Sequence, residues 1–184
     1  MKKVMLVLVL LFCASTAAMA QDVSVVDIFA GYSFNRCVKN GDISCDLHGW
    51  NAAFDFNMNN NWAITADGSG HYSGREQVRE GVEETPRTRY HNYLLGPKYT
   101  FGSSERVRPY VHALFGFNQV KPVPEFTKKV NFAQVYGGGV DVKVGDKLWV
   151  RPAQVEWFAI RNFDTVTGSH VRFSAGVVIR IGQK

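Results

Sequence analysis

Residues 91–101, HNYLLGPKYTF, alternate in character. Tyr93, Leu95, Pro97, Tyr99 and Phe101 fall on one parity. Asn92, Gly96, Lys98 and Thr100 fall on the other, with Leu94 its one apolar member. Successive side chains of an extended chain point to opposite sides. One face of this stretch is therefore apolar and aromatic, and the other small and polar with a lysine. A soluble barrel would turn the apolar face into its core. A membrane barrel would turn it to lipid and keep the polar face in its lumen.

The same period recurs along the chain, and no segment after the N-terminal apolar run holds a helical period over a useful length. The predicted strands are 25–36, 47–57, 62–72, 91–101, 107–118, 131–144, 148–162 and 170–181. In the second, Trp50, Ala52, Phe54 and Phe56 oppose Asn51, Ala53, Asp55 and Asn57. In the eighth, Val171, Phe173, Ala175, Val177, Ile179 and Ile181 oppose Arg172, Ser174, Gly176 and Arg180. The seventh breaks the rule, because Arg151 has odd parity while Gln154 and Glu156 have even parity. A bulge near Pro152 adds one residue and would return all three to one face.

The connections alternate in length. Segments 58–61, 102–106 and 145–147 are short and rich in turn residues. Segments 37–46, 73–88 and 119–129 are long and polar, and 164–169 is intermediate. Long and short rims are what an up-and-down barrel shows when one rim faces the periplasm and the other the outside. The expected fold is all-β: an eight-stranded antiparallel up-and-down transmembrane β-barrel. Aromatic residues near strand ends (Trp50 and Phe56, Trp62 and Tyr72, Tyr93 and Phe101) suit interfacial girdles.

The polar parity carries Asp55, Asp67, Lys98, Asp141, Lys143, Arg151, Glu156, Arg172 and Arg180, together with Asp27 and His112. Eight strands enclose a space that side chains just fill. Unpaired buried charge is very costly, so these residues are expected to form a network of paired charges in the lumen. The alternative is a soluble, lipocalin-like barrel binding a small hydrophobic ligand. It would have to expose a large aromatic surface to water, which argues against it.

The N-terminus adds the address. Lys2 and Lys3 precede an apolar run from Val4 to Ala14 and an Ala18-Met19-Ala20 cleavage signal. This reads as a secretory signal peptide over 1–20, with the barrel domain over 21–184. The run is shorter than the ~20 residues of a transmembrane helix. Phe12 stands before Cys13 where a lipoprotein box needs a small residue, so lipidation is not expected. Cleavage leaves 184 − 20 = 164 residues and, without the two lysines, a charge of +5 − 2 = +3. The charges are scattered, which argues against nucleic-acid binding. Of the three cysteines, Cys37 and Cys45 remain, and in an oxidising compartment they read as a loop-closing disulfide. Only His48 lies near them, so a metal site is disfavoured and no cofactor is expected.

AGYSF at 30–34, NYLLGPKYTF at 92–101, RPYVHALFGF at 108–117, GGGVDVKV at 137–144, VRP at 150–152 and RFSAGVVIRIG at 172–182 follow in fixed order. In that order and spacing the chain resembles the small eight-stranded outer-membrane β-barrel family, the OmpA-like transmembrane domain group. The resemblance implies an outer-membrane location among lipid and lipopolysaccharide, and insertion by the barrel-assembly machinery. It also implies periplasmic termini and four exposed loops. Two features depart from the family pattern. The chain ends IRIGQK rather than on a terminal aromatic residue, and it leaves no room for a peptidoglycan-binding domain after Gly182.

Three functions compete on this scaffold, since fold alone does not assign one. The first is a structural, surface-exposed barrel whose loops serve adhesion or recognition. Loop 73–88, with Arg75, Glu76, Arg79, Glu80, Glu83, Glu84 and Arg87, suits that role. The second is a lipid-modifying enzyme using His71 with Ser69 or Ser73, or His170 with Ser169 or Ser174. No motif surrounds either pair, and a non-enzyme is expected. The third is a porin-like pore, limited by the side chains that fill a lumen of eight strands.

Overall fold

A computed structural model describes residues 24–39, 42–72, 87–102, 106–123, 129–161 and 166–183. The expected signal peptide and most of loop 73–88 lie outside the described residues. Eight strands follow in chain order: β1 (Ser24–Lys39), β2 (Asp42–Asn57), β3 (Trp62–Tyr72), β4 (Arg87–Thr100), β5 (Val107–Val123), β6 (Lys129–Lys143), β7 (Leu148–Arg161) and β8 (Val166–Gln183). Each pairs antiparallel with its chain neighbours, and β1 pairs with β8 to close the barrel. Closure satisfies both edges of the sheet, which a chain surrounded by hydrocarbon requires.

The short turns are held by their own side chains and backbone. Asn59 Oδ1 accepts from the amides of Asn61 at 2.9 Å and Trp62 at 2.8 Å. Val144 and Gly145 donate their amides to the Leu148 carbonyl at 3.1 and 2.9 Å. Gly102 turns the chain with a φ of 64°, in the left-handed region that favours glycine.

Burial follows the parity. Polar side chains such as Asp55, Asp67, Lys98, Asp141, Arg151, Glu156 and Arg172 are buried inside. Phe54, Phe56, Leu95, Phe115, Phe117, Val177 and Ile179 stand outside and exposed. This orientation is the reverse of a lipocalin-like barrel. In β7, Pro152 and Ala153 are consecutive exposed residues between buried Arg151 and buried Gln154. The β7–β8 register shifts at that point. The bulge thus sits at Pro152 and brings Arg151, Gln154 and Glu156 to one face.

The strands at the long-loop end differ from expectation. Segment 37–46 is not a free loop, because β1 and β2 continue pairing through Val38↔Ile43 and Lys39↔Asp42. Likewise β4 and β5 pair as far as Arg87↔Val123 within the supposed loops 73–88 and 119–129. Alternation is imposed where one face meets lipid. Above the membrane both faces meet water, so the pattern fades while backbone pairing goes on. The register places Cys37 opposite Cys45. Their side chains lie outside the described residues, among which no disulfide occurs.

Candidate functional site

The interior holds two ionic clusters joined at one glutamine, packed beside two apolar clusters. In the first, Lys98 Nζ donates to Asp55 Oδ2 at 2.6 Å and lies 3.7 Å from Asp141. Arg151 bonds Asp141 with two nitrogens, Nε at 2.7 Å and Nη2 at 3.1 Å, and stands 3.8 Å from Asp55. Thr65 Oγ1 donates to Asp55 at 2.6 Å. These groups come from β2, β3, β4, β6 and β7, so the cluster ties distant walls together across the lumen.

In the second cluster, Arg172 Nε and Nη2 donate to Glu156 at 2.5 and 2.7 Å. The same guanidinium reaches Asp67 at 3.1 Å and Ser69 Oγ at 2.8 Å. His112 Nε2 lies 2.9 Å from Glu156, and Asn51 donates to Asp67 at 2.6 Å. Gln154 joins the clusters. Its Oε1 accepts from Tyr110 at 2.6 Å and Arg151 at 2.8 Å, and its Nε2 donates to Glu156 at 2.7 Å. Charge-assisted, multiply bonded pairs of this kind offset the desolvation of buried ions.

The aromatic partners of these cations are absent from the sequence reading. The Arg151 guanidinium lies over Phe29 at 4.3 Å and Tyr110 at 4.6 Å. Lys98 lies over Tyr110 at 4.1 Å, Arg172 over Phe158 at 4.8 Å, and Arg180 over Trp149 at 4.0 Å. Ring faces attract cations, most strongly where water is excluded. A large aromatic residue on the polar parity was the available signal.

The predicted interior residues divide as follows. Asp55, Asp67, Lys98, Asp141, Arg151, Glu156 and Arg172 come together in the two clusters. Arg180 stands apart at the end near the chain termini, 3.5 Å from Asp27. Lys143 does not join them. It ends β6, with its side chain 39% exposed and 3.9 Å from Asp146 in the adjoining turn. At the strand end a long side chain reaches water, so inward parity no longer means burial.

His71 is fully buried inside the barrel with Ser69, and its Nε2 meets Ser33 Oγ at 2.8 Å. Ser33 in turn bonds Ser174 at 3.1 Å. Neither serine nor histidine is presented to lipid there. Ser73 lies outside the described residues. Among the described residues no group of three or more His, Cys, Asp or Glu is arranged to hold a metal ion.

A closed barrel of eight strands, apolar outside and ionic inside, is the architecture of a bacterial outer-membrane protein. The chain belongs to the family described as Outer membrane protein beta-barrel domain, whose profile matches residues 4–178. No curated protein matches it by sequence. Among solved structures it is similar to Neisserial surface protein A. That match has 13% identity and a TM-score of 0.69, covering 86% of this chain and 98% of the other. It is similar to Ail, the attachment invasion locus protein of Yersinia pestis, solved with the heparin analogue sucrose octasulfate. There the identity is 17% and the TM-score 0.58, covering 85% and 97% of the two chains. The N-terminal barrel domain of Pseudomonas aeruginosa OprF matches at 12% identity and a TM-score of 0.54, covering 86% and 98%. At these identities the likeness is one of fold. The protein is located in the bacterial outer membrane.

Proposed function

We propose that this protein is a structural, surface-exposed barrel whose extracellular loops recognise an anionic surface ligand. It would reach the outer membrane by cleavage after Ala20 and assembly by the barrel-assembly machinery. The observation that carries the reading is the asymmetry of the two rims. At one end the strands are joined by tight turns. At the other the ladders continue past the alternating region, to Lys39↔Asp42 and Arg87↔Val123. Such extensions lift the loops clear of the lipid headgroups. Among the described residues Arg172, Phe158, Leu114, Gln154 and Glu156 fill the interior as fully buried side chains.

Exposed Arg36, paired with Asp46 at 3.3 Å, stands on the raised rim, and loop 73–88 adds Arg75, Arg79 and Arg87 among four glutamates. Guanidinium groups suit sulfate and phosphate. The heparin-analogue complex of Ail belongs to that protein, and it makes heparin a sensible first probe. The test is binding of fluorescent heparin to cells displaying the protein, against cells displaying a variant with 75–87 replaced by a neutral linker. Loss of most binding at equal outer-membrane abundance is expected. Equal binding by both cell types would overturn the reading.

A further inference from the structure

The outer wall is not uniform. β3 turns Trp62, Ile64, Ala66, Gly68 and Gly70 outward below its last residue, Tyr72. Between Ile64 and Tyr72 this strand presents nothing larger than a methyl group. On either side stand large residues, Trp50 and Phe54 on β2, Tyr93 and Leu95 on β4. The result is a groove of about 570 Å³ across β2 to β5, floored on β3 by Ala66 and Gly68.

The fold does not require glycine at the floor. At Gly31 an added Cβ would meet the Ala175 carbonyl oxygen at 2.2 Å, so close strand packing explains that residue. At Gly68 an added Cβ would meet nothing within 4 Å. Glycine weakens a strand interior and often marks close approach by another molecule. The Trp50 indole folds over Gly70, 2.7 Å from where its Cβ would stand, and so covers the upper end of the floor.

The groove lies midway along β3, at the depth that an acyl chain anchored in the outer leaflet reaches. The groups just above it are polar. His91 is paired in register with Gly70, and exposed Arg89 with Tyr72. Tyr72 and His91 meet edge to face at 6.0 Å. An apolar trough in the hydrocarbon with an arginine at its head matches an acyl chain below a phosphate. We propose that this groove is a binding site for one acyl chain of a phosphorylated outer-leaflet glycolipid, of lipid A chemistry, with Arg89 on its phosphate. The site is separate from the ligand-recognising loops and does not depend on them.

The test is native mass spectrometry of the detergent-purified mature barrel, titrated with hexa-acylated bisphosphorylated lipid A or with phosphatidylglycerol. The wild-type protein is expected to retain one lipid A, and phosphatidylglycerol far more weakly. Gly68→Leu fills the trough and is expected to lower lipid A retention about tenfold, the worth of roughly two buried methylenes. Ala66→Leu is the second variant, should the first not give a heat-modifiable barrel. Arg89→Ala is expected to narrow the preference for lipid A over phosphatidylglycerol. Undiminished retention in a folded groove variant would overturn the site. Equal retention of the two lipids by the wild type would overturn the glycolipid. A second copy of the barrel bound in place of lipid would also overturn it.

Discussion

Arg172 and Phe173 are neighbours in the chain and point in opposite directions. Arg172 is fully buried and bonded to Glu156, Asp67 and Ser69. Phe173 is 44% exposed on the outer wall, where its neighbours are hydrocarbon. The inside of the barrel is specific residue by residue, because each ion needs partners at set distances. Most of the outside is specific only by class, because lipid takes any apolar side chain of suitable size. The trough along β3 is the part of the outer wall that departs from this rule.

The contrast gives a descending series of effects. Arg172→Met leaves Glu156 and Asp67 buried without their main counter-ion. Breaking such a pair costs about 3–5 kcal/mol, and the urea unfolding midpoint in bilayers should fall accordingly. Lys98→Met should cost less, about 1.5–3 kcal/mol, the worth of a hydrogen bond to a charged group. Asp55 there keeps Thr65 at 2.6 Å and Arg151 at 3.8 Å. An unchanged midpoint and an unchanged heat-modifiable gel shift in Lys98→Met would show that Arg151 alone neutralises that cluster. Val177→Leu, on the outer wall, should shift stability by no more than about 0.5 kcal/mol, as for most surface changes. A loss there as large as that of Lys98→Met would erase the distinction between the two faces.

Much of this was legible because lipid writes a strong signal. The alternation bounds β3 at its true ends, and the bulge at Pro152 follows from the phase conflict between Arg151 and Glu156. The extensions of β1, β2, β4 and β5 leave no such mark, because beyond the membrane no face is forced to be apolar. Parity alone puts Lys143 with the interior charges, and a strand end frees a long side chain from parity. The aromatic platforms Phe29, Tyr110, Trp149 and Phe158 lay on the polar parity, visible as exceptions but without a visible partner.

By itself the sequence determined the strand count, the antiparallel order and the face toward lipid. All three follow from local periodicity and loop length, which need no knowledge of distant neighbours. Only the tertiary structure decided that Arg172 on β8 meets Asp67 on β3, and that Arg151 on β7 meets Asp55 on β2. It also decided that Ala66 and Gly68 of β3 become the floor of a trough. Those relations depend on the stagger with which the sheet closes, and on side chains that cross the lumen from opposite walls. Neither is encoded in the alternation of any single strand.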